Sequence, residues 1–105
     1  MLGSAHFRFL DLSEKQAMEL KAAITNVDID THYKTGNFVG SIELLDTDVV
    51  VQISEFRIKN RIAVRNCDVF VSIASNNHDE TWRAPKTVNY IMNIVNCPLV
   101  FSYTC

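Results

Sequence analysis

Residues 50–66 read VVQISEFRIKNRIAVRN, and the fold turns on whether they are strand or helix. The run is rich in β-branched residues, which suit a pleated, half-buried surface. Its apolar members, Val50, Val51, Ile53, Phe56, Ile58, Ile62 and Val64, scatter around a helical wheel instead of forming one stripe. The run therefore predicts strand, with a turn near Lys59-Asn60. The competing reading makes 50–66 a helix and DVFVSIAS, residues 68–75, a parallel strand opening a β-α-β unit.

Read as strand, the segment places Arg57, Lys59 and Arg61 on one face, with Arg65 joining them if the register survives the turn. Residues two apart on a strand face stand about 6.5 Å from each other, a spacing that can follow phosphates. The plainer reading is a wet sheet face. Asp28, Asp30, Glu43, Asp46, Asp48 and Glu55 lie close by in the sequence and can supply weak exposed ion pairs. Phe56 and Phe70 fall on the opposite parity to Arg57 and Arg65, so stacking aromatics do not interleave with the cations as in single-stranded RNA modules.

Outward from this segment the patterning is clearer. Residues 5–10 alternate, with Phe7 and Phe9 on one side and His6 and Arg8 on the other, as a strand does. Ser13 and Gln16 have capping-box spacing, and Ala17, Leu20, Ile24 and Val27 recur at helical intervals, predicting a helix over 14–26. Residues 27–37 read as a loop or weak strand. Phe38, Gly40, Ile42 and Leu44 share one strand face. Val88, Ile91, Met92 and Val95 form an i, i+3, i+4, i+7 stripe for a second helix whose first turn holds Pro85. The run PLVFSYT, residues 98–104, is a terminal strand expected to be buried or paired, because a bare apolar edge invites aggregation. The order β-α-β-β-β-α-β predicts an α+β fold: one mostly antiparallel sheet of four to six strands, with both amphipathic helices on one face.

The 105 residues are 48% hydrophobic and 21% charged, with three Gly and two Pro. These are ordinary globular proportions for one domain spanning 1–105, with no linker or repeat. The formal net charge of −2 argues against a general nucleic-acid binder. Cys67, Cys97 and Cys105 are odd in number and form no C-x-x-C pair, which points to reduced thiols and a cytoplasmic setting. The start MLGS has no signal-peptide pattern, and no apolar run approaches the ~20 residues that span a bilayer.

The polar connection SNNHDETWR, residues 75–83, concentrates His78, Asp79, Glu80, Trp82 and Arg83. Trp with Arg has the composition of an interface anchor; the plainer reading folds Trp82 back as a lid. The H-x-E at 78–80 also occurs in zinc deaminases, but the P-C-x-x-C that completes their metal shell is missing. No phosphate-binding glycine loop and no nucleophile elbow occurs. No cofactor or metal is expected, and no stretch resembles a known family.

The expectation is a non-enzymatic protein-binding module: a small regulator, adaptor or stoichiometric inhibitor of the kind that viruses and mobile elements encode. Its partner is another protein, and homodimers through the terminal strand fit the same pattern. The alternatives are an RNA or phosphorylated-ligand binder using 57–65, and a small enzyme with its site at loop 75–83, around Asn76, Asn77 and His78.

Overall fold

A computed structural model describes residues 2–32, 34–74 and 83–104. Five strands and three α-helices follow in the order β1 (Leu2–Leu12), α1 (Glu14–Ala23), β2 (Val27–Thr31), β3 (Phe38–Glu43), α2 (Thr47–Lys59), β4 (Cys67–Ala74), α3 (Lys86–Ile94) and β5 (Leu99–Thr104). The fold class is α+β, as the patterning predicts.

The deciding segment is helical over most of its length, so the strand expected at 50–59 is corrected to α2. Asp46 caps it, its side chain accepting from the Val49 amide at 2.9 Å. Asp48 sits in the first turn, and Arg57 and Lys59 in the last, which complements the helix dipole at both ends. Val50, Ile53 and Phe56 are buried at intervals of one turn, whereas Val51 and Ile58 stay exposed. Those two outward residues are what blurred the helical wheel.

The helix ends in a Schellman motif. The Ile62 amide donates to the Arg57 carbonyl at 3.0 Å and the Arg61 amide to the Ile58 carbonyl at 3.1 Å. Arg61 takes the left-handed position usually given to glycine, with φ 53°. A short 3₁₀ turn, Val64–Asn66, then leads into β4.

α1 forms at its predicted start. Ser13 Oγ accepts from the Gln16 amide at 3.2 Å, and Gln16 Oε1 accepts from the Ser13 amide at 3.0 Å. It stops at Ala23, so Val27 belongs to β2. Pro85 occupies the position just before α3, and Thr87 in the first turn donates its hydroxyl to the Leu44 carbonyl at 2.8 Å.

The sheet runs β2-β3-β1-β4-β5. Its first three ladders are antiparallel and the last, β4 with β5, is parallel. The sheet is therefore mixed. The part ordered β2-β3-β1-β4 follows the split β-α-β plan, and α3 with β5 adds one crossover to it. Buried residues of all three helices join Phe7, Phe9, Ile42, Val69 and Val71 in one core, so the helices share one side of the sheet. Gly40 lets α1 approach closely: a Cβ there would lie 2.6 Å from Leu20 Cδ2. Among the described residues, no helix is long and apolar enough to cross a membrane.

Candidate protein-interaction edge

β5 departs most from the expected burial. It pairs in register with β4, Val69 opposite Leu99 through Ala74 opposite Thr104, and among the described residues it lies at the edge of the sheet. In a parallel ladder partnered residues share a face, so Leu99 and Phe101 stand on the helix side beside the buried Val69 and Val71. The helical layer does not reach them. Phe101 is 64% exposed and Tyr103 55%, and Leu99 and Val100 are also exposed.

The hydrogen-bonding direction of β5 follows from one bond. The Val69 amide donates to the Pro98 carbonyl at 2.9 Å. Alternation along the strand then turns the N–H and C=O groups of Val100 and Ser102 toward β4, and those of Leu99, Phe101 and Tyr103 outward. Edge strands are ordinarily blunted by charge, proline or a bulge. LVFSYT has none of the three.

The opposite face of the sheet is polar and carries internal partners. Arg8 Nε donates to Asp68 Oδ1 at 2.7 Å and Nη2 to Oδ2 at 2.6 Å. The guanidinium also lies 4.4 Å from the centre of the Phe70 ring. That contact covers an aromatic face on which a base could otherwise stack. Asp28, Asp30 and Glu43 alternate on β2 and β3, so this face is acidic on balance and repels phosphate.

The four cations of 57–65 do not form a strand face. Arg57 turns inward, its Nη1 donating to the Ile62 carbonyl at 3.2 Å. Lys59 lines a groove of about 550 Å³ between α1 and α2, whose walls also carry Glu19 and Glu55. Arg61 occupies the left-handed turn and Arg65 the 3₁₀ turn, both exposed. The row of evenly spaced charges required a strand, and helical geometry disperses it.

Arg83 is exposed ahead of α3. His78, Asp79, Glu80 and Trp82 lie outside the described residues, as do Asn76 and Asn77. The reading that placed an enzyme site there required helix within 50–66 and a parallel β4; both are present. Among the described residues, no group of three or more His, Cys, Asp or Glu is placed to hold a metal ion. Cys67 and Cys97 are buried and free. Burial pushes the Cys67 thiol up to about 12 and raises that of Cys97 as well, which keeps both protonated and poor nucleophiles.

Sequence patterning offers the terminal strand as a pairing element but does not place it at the edge, because strand order is set by non-local pairing. The absence of charge after Lys86 was the one available signal.

No family matches this chain, and neither the curated proteins nor the solved structures contain a match.

Proposed function

We propose that this protein is a non-enzymatic protein-binding module, a small regulator, adaptor or inhibitor, that engages its partner by strand addition at β5. One observation supports the reading: among the described residues β5 is an edge strand, with Leu99 and Phe101 exposed and no charge or proline to block pairing. Strand addition uses these two elements together, main-chain bonds for affinity and alternate side chains for selectivity.

The test compares two baits in pull-downs from the native host. Wild-type protein should retain a defined protein partner, and Phe101→Lys should lose it while keeping its circular dichroism spectrum. Retention of the same partner by Phe101→Lys would sink the reading. Phe101 is more than half exposed, so the substitution leaves the core intact.

A further inference from the structure

We infer that Cys67 and Cys97 form a redox-modification site: the two buried thiols close into an intramolecular disulfide when a small-molecule disulfide, such as oxidised glutathione, supplies the oxidising equivalents. The structure is the reduced state, with both thiols free. The inference does not depend on what β5 binds.

The β4–β5 ladder sets the two cysteines side by side. Val69 lies opposite Leu99, and the Val69 amide donates to the carbonyl of Pro98, the residue after Cys97. Two steps back along each chain bring Cys67 opposite Cys97. Two steps preserve parity, so both side chains lie on the helix side with Val69, and both belong to the buried core. Neighbouring strands run about 4.8 Å apart, within the Cα separation of about 4.4–6.8 Å that a disulfide spans. The thiols also sense each other, since a charge on Cys97 works against ionisation of Cys67.

The surroundings suit thiol–disulfide exchange. The Arg57 charge bears on both thiols and favours their thiolate forms, against the burial that keeps them protonated. Asp68 opposes ionisation of both, but its carboxylate is held by Arg8. Arg57 Nη1 donates to the Ile62 carbonyl, whereas Arg57 Nε is buried and has no hydrogen-bond partner among the described residues. A buried donor left open in a native fold calls for a reason. An anionic sulfur formed during exchange is an acceptor suited to it.

Cys97 is the entry point. It lies in the connection between α3 and β5, flanked by the exposed Asn96 and Pro98, whereas Cys67 is fully buried. The Cys97 thiolate attacks one sulfur of the small disulfide, and the other sulfur leaves as a thiolate that takes up a proton. The Cys67 thiolate then attacks the Cys97 sulfur of the mixed disulfide and expels the second small thiol. The protein loses two electrons and two protons, and the oxidant becomes two thiols. Burial keeps the thiolate fraction low, so the exchange is slow. The bridge ties the start of β4 to the connection before β5 and fastens the α3–β5 crossover to the sheet.

The test uses the full chain with Cys105→Ser, incubated without denaturant at graded ratios of oxidised to reduced glutathione. After acid quenching, the intact mass should show the loss of two hydrogens and no retained glutathione. A non-reduced peptide map should join Cys67 to Cys97. The bridge should raise the urea midpoint by on the order of 1 M, and excess reduced glutathione should reverse it. Cys67→Ala should stop at a glutathione adduct on Cys97, and Cys97→Ala should leave Cys67 unmodified in the folded chain. If either alanine variant folds poorly, the map of the two-cysteine chain decides alone. Thiols that stay free at the most oxidising ratio, an adduct on the two-cysteine chain that never resolves, a bridge that appears only in urea, or a bridge that lowers the midpoint overturns the inference.

Discussion

Arg8 and Asp68, 60 residues apart in the chain, meet as directly opposed residues of β1 and β4 and share two parallel hydrogen bonds. Asp68 is 5% exposed, so the Arg8 fork takes the place of water around its carboxylate. Arg8→Met leaves a carboxylate without its partner and should cost about 3 kcal/mol in urea unfolding. Arg8→Lys keeps the charge but loses the fork, and should fall between Arg8→Met and wild type. Arg8→Met with Asp68→Leu should recover much of the loss. A cost for Arg8→Met no greater than that of an ordinary surface change would show that the pair does not carry this burial.

Arg61 holds a left-handed conformation that costs most side chains energy. Arg61→Gly should therefore raise stability by about 0.5–1 kcal/mol, seen as a higher urea midpoint with an unchanged slope. A lower midpoint would mean that the Arg61 side chain makes a compensating contact.

Thr87 fastens the first turn of α3 to the Leu44 carbonyl just beyond β3. Thr87→Val removes that donor and nearly preserves shape, and should cost about 1 kcal/mol. Thr87→Ser retains the hydroxyl and should cost less. Equal losses in the two variants would assign the effect to packing of the methyl group.

Cys67 sets an alkaline limit. Its folded-state thiol holds its proton more tightly than the ordinary value of 9.0, up to about 12, chiefly through burial. The folded chain thus binds the proton more strongly than the unfolded chain. The resulting stability is complete below about pH 9 and is lost as pH rises toward 12. Unfolding midpoints from pH 8 to 11 should fall in wild type and fall less steeply in Cys67→Ala. Thiol-reactive reagents at pH 8 should label Cys67 only after denaturant opens the fold.

Local signals were legible where local chemistry decides the outcome. The Ser13–Gln16 box, the Val88–Ile91–Val95 stripe and the parity of Gly40 and Ile42 each depend on neighbours within a few residues, and each recurs in the structure. α2 was misread because β-branched Val51 and Ile58 lie on its outer side. Its capping pattern, Asp46 before Val49 and Arg57 with Lys59 at the far end, was the better guide. The terminal strand was legible as a strand, but its place at the edge was not. The residues of β5 are equally apt for a central strand, and only the pairing of β4 with β1 places them outside.

The position of β1 has a kinetic consequence. It lies between β3 and β4, so neither of its long sides can close against a strand adjacent in sequence. Among the described residues, β2 with β3 is the one antiparallel ladder between consecutive strands, and it can zip early with α1 beside it. β1 must be brought in by non-local pairing with β3 and β4, an entropic delay typical of such topologies. Refolding from urea should accordingly run on the millisecond-to-second scale, with amides of β2 and β3 guarded from exchange before those of β1.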